Sequence, residues 1–478
     1  MKILLVEDNQ EFLLETKNEI EKITGKDSVV VASSKESACS IITEYFFDLI
    51  VLDLSLPATD DSLDADVING QEVFHCCLSV APGTPVCFLT GSSTHRFVNQ
   101  LLNAHANRQD FWGQSEMNAS PMVFQKINLV DFIDHLKQCS AKLRNLADIE
   151  LRAIKPGNAL TAEEQRLLKI FTIRLSGASC KWQDLNGGLS DVRVLSIEIL
   201  NNHEASLLKA VARIGRRDKI AQEATNFDRM VPALNIGTFP SKVLFLEYGA
   251  KSSAAIYYRL ASDHTSNLSE LLLTDPDRSL PTYQKLKDIF SAWGDGCYKT
   301  RKTIGELRRC LVSDSKLSKL QRSYSLDWLE DIEVLSISVR WGRTHGDMHG
   351  GNVLIANDYA PLLIDFGDLA ERATSLDPCS ILLSPFFHKD TAERAFLAFP
   401  EDDLIKSIQQ LNCGTPSPLA AFFNQITQWI IEECSASDRG IYASILAYTL
   451  KQLSYPDTNK DAALNILAVC RDRIISTT

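Results

Sequence analysis

Three carboxylates fall where short apolar runs end: Glu7 and Asp8 after KILLV, and Asp53 inside LIVLDLSLP. A hard divalent cation such as Mg²⁺ takes a few carboxylate oxygens plus waters, and would draw such groups together. Asp53 in its apolar frame is not solvated decoration, because an uncompensated buried carboxylate costs several kcal/mol. A nearby cation or a reactive role is therefore expected. Thr90, which closes VCFLT, can offer a hydroxyl to the same crevice, and Lys126, after PMVF, an ammonium to an anion there. A second constellation lies far downstream. Residues 345–352 read HGDMHGGN, and residues 364–368, IDFGD, follow the apolar run PLL. Asp347 can orient a hydroxyl nucleophile, Asn352 supplies an amide and Asp365 a second carboxylate, together a two-metal phosphoryl-transfer apparatus. The glycines let backbone approach phosphates closely.

These residues need elements to position them. Up to residue 140, apolar β-branched runs at 2–6, 28–32, 49–54, 86–90 and 121–124 alternate with helical patterns from Asn9 and from Lys35. Such alternation predicts a parallel sheet covered on both faces, whose ligands sit beyond the carboxyl ends of the strands. From Leu129 the apolar positions 129, 132, 136, 139, 143 and 146 form a heptad stripe. That stripe is either the last helix packing on its own sheet or a short dimerising or signal-transmitting helix. Pro156-Gly157 breaks it, and Thr161 to Glu164 form a capping box that opens a new helix. Residues 165–250 read mainly as strands and turns, with one helix near 218–231. Residues 251–478 read mainly as helices, interrupted by a strand–loop–strand segment near 341–369.

Over nearly all of residues 1–140, the set Glu7, Asp8, Asp53, Thr90 and Lys126 resembles the receiver domain of two-component response regulators. The resemblance implies that Asp53 is the phosphoacceptor and that Glu7, Asp8 and Asp53 bind Mg²⁺. It implies that Thr90 and Lys126 contact the phosphoryl group, that Phe124 is the switch aromatic, and that an upstream histidine kinase or phosphotransfer protein is the donor. The chain departs from the family in an acidic loop, ATDDSLDADVIN, between Asp53 and Gly70, read as a solvated insertion. It departs again in the 36 positions from Thr90 to Lys126, read as an insertion in the fourth helix region, and in Ile127, where the family has proline.

The motifs HGDMHGGN and IDFGD resemble the kinase-like superfamily, closest to aminoglycoside phosphotransferases and choline kinases, over about residues 165–400. That implies Asp347 as catalytic base, Asn352 and Asp365 as Mg²⁺ ligands, His345 as a structural partner of the loop, and ATP as phosphodonor. Upstream, LNGGLS with Gly187, Gly188 and Ser190 would cover the phosphates, Lys209 would pair with them, and Glu223 would hold that lysine. Residues 243–248 would be the hinge carrying the adenine. Asp377 either braces the catalytic loop or caps a helix, and residues 265–340 should contain the acceptor site. The expected architecture is α/β: a doubly wound parallel (flavodoxin-like) receiver domain over 1–140 and a helical linker over 141–160. A bilobal α+β protein-kinase-like domain follows, with an N-lobe over 161–250 and a helical C-lobe over 251–478.

The composition sets the outer bounds. In 478 residues, 45 % are hydrophobic and 23 % charged, which excludes a disordered, collagenous or disulfide-stapled protein. No run of 18 apolar residues and no apolar leader after the start predict a cytoplasmic protein with no membrane partner. The twelve cysteines form no CxxC pair, so zinc is not expected and free thiols are. Residues 1–140 hold 9 Lys and Arg against 20 Asp and Glu, while the rest is nearly balanced. Neither part offers a basic nucleic-acid-binding module. The leading expectation is a response regulator, phosphorylated on Asp53, controlling a phosphotransferase of unknown acceptor. The alternative is a regulator whose kinase-like half binds nucleotide or partner without turnover.

Overall fold

The computed structural model describes residues 1–62, 64–91, 108–113, 118–185, 192–259, 264–356 and 359–477. It divides into two compact units, Met1–Gln222 with Ser241–Leu260, and Glu223–Pro240 with Ala261–Thr478.

The first unit opens with strands β1 (Ile3–Val6), β2 (Val29–Ala32), β3 (Leu49–Leu52), β4 (Val86–Thr90) and β5 (Met122–Gln125). They form one all-parallel sheet in the order β2-β1-β3-β4-β5. β1, β3 and β4 are buried along their whole length, as continuous apolar runs must be when helices cover both faces. Those helices include α1 (Gln10–Thr24), α2 (Lys35–Glu44), α3 (Val67–Val80) and α4 (Val130–Ala147). Asn9, Ser34 and Asp66 cap the first three by accepting from backbone N–H groups in the first turn. Gly70 lets α3 close on the loop just after Asp53, since a Cβ there would lie 2.2 Å from the Leu54 carbonyl oxygen.

The heptad stripe of α4 is divided between two cores. Phe132 and Leu136 pack under the parallel sheet with Phe124, while Cys139, Leu143 and Leu146 enter a core built by the following sheet. The stripe is thus buried within the chain, in part on its own sheet, and is not open as the seam of a dimerising helix. The expected helical linker over 141–160 is also corrected. α4 stops at Ala147, and β6 (Glu150–Ala153) pairs parallel with β7 (Ser179–Asp184). An edge strand with open backbone groups is a natural place for the passing chain to add a strand.

That second sheet runs β10-β11-β9-β8-β7-β6, with β8 (Arg193–Leu200), β9 (Ser206–Arg216), β10 (Lys242–Leu246) and β11 (Ser253–Arg259) antiparallel to their neighbours. It therefore continues past the expected boundary at 250. The capping box at Thr161 and Glu164 starts α5 (Ala162–Arg174), whose Phe171 stacks on Tyr257 with ring centres 3.7 Å apart. From the segment before β5, Phe111 and Trp112 are buried in this same core. The Gly83 N–H donates to the Lys251 carbonyl oxygen at 2.7 Å, the Gly249 N–H donates to the Gly83 carbonyl oxygen at 2.9 Å, and Arg174 bridges to Asp110 at 2.8 Å. The parallel sheet and the second sheet are one packed body. α6 (Arg217–Met230) follows β9.

In the second unit, β12 (His264–Asn267), β15 (Val353–Ala356) and β16 (Pro361–Leu363) form one small sheet. β13 (Tyr298–Thr303), β14 (Ser336–Thr344) and β17 (Ala370–Ala373) form another. The rest is mainly helical, including α7 (Pro276–Ser291), α8 (Leu376–Phe387), α9 (Ala420–Glu433), α10 (Asp438–Leu453) and α11 (Lys460–Ser476). α8 is buried along all twelve residues and is the central helix of this unit.

Candidate functional site

At the carboxyl edge of the parallel sheet, register aligns the reactive residues. Val6 pairs with Leu52 and Leu52 with Phe88, so Glu7 and Asp53 leave neighbouring strands at one level, with Thr90 at the end of the next. One ligand oxygen from each of Glu7, Asp8 and Asp53 lies within 4.8 Å of the others. Lys126 reaches back from the end of β5, its Nζ 2.7 Å from Asp53 Oδ2 and 2.8 Å from Glu7 Oε1. Burial pushes Glu7 up to about 7 although the Lys126 hydrogen bond opposes it. Burial raises Asp53 as well, against the same lysine. Burial disfavours the Lys126 ammonium, but its hydrogen bonds to Asp53 and Glu7 outweigh that and raise its pKa. Three crowded hard-oxygen donors, two of them reluctant to ionise, fit a divalent cation of the Mg²⁺ kind. Thr90 and Phe124 are buried, and the Phe124 ring meets Phe132 edge-on at 5.6 Å.

In the second unit, β14 delivers residues 345–352 and β16 delivers residues 364–368. Asp377 at the start of α8 accepts from the His345 N–H at 2.7 Å and from the Gly346 N–H at 2.9 Å. It is a brace of the loop. Gly346 has φ +85°, and a Cβ there would lie 2.2 Å from the Asp368 carbonyl oxygen, so glycine is required. His345 is fully buried, with Nε2 3.0 Å from the Ile364 carbonyl oxygen and its ring 5.2 Å from that of Phe366, as a structural partner would be. Asn352 donates from Nδ2 to the Asp347 carbonyl oxygen at 2.8 Å, which leaves its amide oxygen for a metal. Asp365 holds φ +64°, a strained left-handed conformation for a non-glycine residue. The Phe227 ring meets Phe366 at 5.4 Å and Asn226 donates to the Leu369 carbonyl oxygen at 2.9 Å, so α6 holds the IDFGD segment.

Asp347 is half-buried, with Oδ1 2.9 Å from Lys451 Nζ and Oδ2 3.7 Å from His349 Nε2. Burial alone would raise its pKa, but Lys451 and His349 outweigh that and pull it down to about 2. Sequence reasoning missed Lys451. It lies 104 residues beyond Asp347, and no local pattern joins them.

Gly187, Gly188 and Ser190 lie outside the described residues. Lys209 stands with 58 % of its side chain exposed, 3.8 Å from Glu198, its cross-strand partner on β8. Four residues along the same face of β9, Arg213 is buried, and so is Glu223 on α6. A basic residue inside the apolar stretch KAVARI was the available signal for Arg213.

Residues 3–109 match the family model of the response regulator receiver domain. Among solved structures, the chain is similar to a response regulator receiver domain protein (CheY-like) from Methanospirillum hungatei JF-1. That match has 21 % identity and a TM-score of 0.23, over 30 % of this chain and 96 % of the other. It is also similar to the aminoglycoside phosphotransferase APH(4)-Ia, with 16 % identity and a TM-score of 0.34, over 62 % of this chain and 94 % of that one. A thermostable mutant of that enzyme, in ternary complex with ADP and hygromycin B, matches at 15 % identity and a TM-score of 0.37, over 62 % and 93 %. No curated protein matches the chain. A receiver domain therefore forms the N-terminal part, and a mixed sheet followed by helices forms the rest. Among the described residues, no helix is long and apolar enough to cross a membrane.

Proposed function

We propose that the chain is a response regulator that accepts a phosphoryl group on Asp53 and thereby controls an ATP- and Mg²⁺-dependent phosphotransferase in its second half. The donor is an upstream histidine kinase or phosphotransfer protein. A carboxylate oxygen of Asp53 attacks phosphorus, the bond to the donor breaks, and the donor leaves with that electron pair. Glu7, Asp8 and Asp53 would hold Mg²⁺, which supplies charge neutralisation for the transferring group. Lys126 follows the new phosphoryl oxygens, and Thr90 meets them from the next strand.

In the second half, Asp347 orients the acceptor hydroxyl and takes its proton, while the acceptor oxygen bonds to the γ-phosphorus and ADP departs. Asn352 and Asp365 would hold the metal there. Asp377 fixes the loop through two backbone N–H groups, and His345 ties it to IDFGD. Arg213, buried on the same face of β9 as the exposed Lys209, is a second cation that the strand offers a nucleotide phosphate. The observation that supports the reading best is the order around Asp347: a carboxylate paired with Lys451 on a braced loop, with Asn352 hydrogen-bonded to its backbone.

The test is Mg·ATP binding and turnover by the full chain, with and without acetyl phosphate as phosphodonor. Binding, with turnover that changes on Asp53 phosphorylation, is the expected result. Binding without turnover, with any nucleophile supplied, favours the non-catalytic module instead. Absence of Mg·ATP binding would overturn the phosphotransferase reading and leave the second half as a partner-binding module.

A further inference from the structure

Lys451 lies on α10, which is buried along nearly its whole length and tied to the start of α8 by a hydrogen bond of 2.8 Å between Ser444 Oγ and Ser375 Oγ. α8 carries Asp377, the brace of the Asp347 loop. The loop and the lysine are therefore fixed to one rigid pair of helices. Lys451 keeps only 13 % of its side chain exposed, and its Nζ sits 2.9 Å from Asp347 Oδ1. The other oxygen, Oδ2, faces His349 at a looser 3.7 Å. A carboxylate gripped at one oxygen cannot swing, and it presents the other in one direction.

Resting on the phosphotransferase reading, we infer that Lys451 is a positioning residue for that reaction, aiming Asp347 Oδ2 at the acceptor hydroxyl by holding Oδ1. The proton goes to Asp347, not to Lys451, which keeps its three protons throughout. The contact matters most when the acceptor oxygen is in line with the phosphoryl group, because misplacing a reacting group by about 1 Å can cost about 10²-fold. It should matter little for binding the nucleotide itself.

The test is calorimetric titration of the full chain with Mg·ADP, alone and with fluoroaluminate, which stands in for the transferring phosphoryl group with a water in the acceptor's place. In Lys451→Met, the affinity for Mg·ADP alone should stay within about twofold, and the gain from fluoroaluminate should fall about 10–100-fold. Lys451→Arg should restore part of that gain. Lys451→Gln is the second variant should the methionine leave the protein unfolded, and thermal unfolding of each is followed in parallel. A full fluoroaluminate gain in Lys451→Met overturns the inference. So does an equal loss of Mg·ADP affinity together with a lowered unfolding temperature, which marks a merely structural contact. A wild-type chain that shows no fluoroaluminate gain overturns the phosphotransferase reading, a result distinct from either.

Discussion

Lys126 holds Asp53 and Glu7 at once, so the crevice keeps a cation against its buried carboxylates. Asp53→Asn leaves that packing nearly unchanged in shape but removes the nucleophilic oxygen. It should abolish phosphate uptake from acetyl phosphate, read as loss of the phosphorylated species by intact-protein mass, with the unfolding temperature retained. Burial pushes the Glu7 carboxyl up to about 7. A proton on Glu7 competes with Mg²⁺, so affinity should be low well below that pH, rise through it and level off above. Calorimetry in two buffers of different ionisation heat should show proton release on binding near pH 6.5–7 and little near pH 8.5. An affinity flat in pH would place Glu7 outside the metal site. On β9, Arg213→Ala should weaken Mg·ATP binding at least about tenfold, as losing a charge-assisted contact does, and Lys209→Ala should change it less than about twofold. Equal effects would remove Arg213 from the nucleotide site.

At the scale of elements, α4 and the segment before β5 are where the proposed coupling would run. The end of α4 and the pair Phe111–Trp112 are both buried in the core beneath the second sheet, and Phe111 meets Tyr248 edge-on at 5.9 Å. Tyr248 ends the stretch expected to carry the adenine, so a shift at β4 or α4 has a packed route to it. Phe111→Ala should cost about 3–5 kcal/mol in a denaturant titration, the usual figure for deleting a buried aromatic ring. It should also blunt any response of Mg·ATP turnover to acetyl phosphate. Leu143→Ala, on the heptad stripe, should cost about 2–5 kcal/mol without changing the oligomeric state by light scattering, because the stripe faces this core.

At the scale of the whole molecule, the boundary between receiver and second sheet is not a linker but an interior. A fragment beginning at residue 158 would lack β6, α4 and Phe111–Trp112, and would expose the apolar faces of α5 and the second sheet. Such a fragment should bind a hydrophobic dye and aggregate where the full chain does not. A well-behaved, cooperatively unfolding fragment would show the shared core to be dispensable.

Spacing along the chain settled what depends on local chemistry: five carboxylate, hydroxyl and ammonium groups at strand ends, and HGDMHGGN ahead of IDFGD. A parallel sheet puts the ends of its strands on one edge, so the types of Glu7, Asp8, Asp53 and Lys126 were enough to bring them together. The capping box at Thr161 and the break at Pro156-Gly157 were legible for the same reason, since caps act within one turn. The fate of the α4 stripe was not, because periodicity tells that a face is apolar and not which surface covers it. Lys209 and Arg213 share a strand face, and only burial separates them. Lys451 reaches Asp347 across 104 residues through helix packing alone, and a contact of that range leaves no pattern in the sequence between.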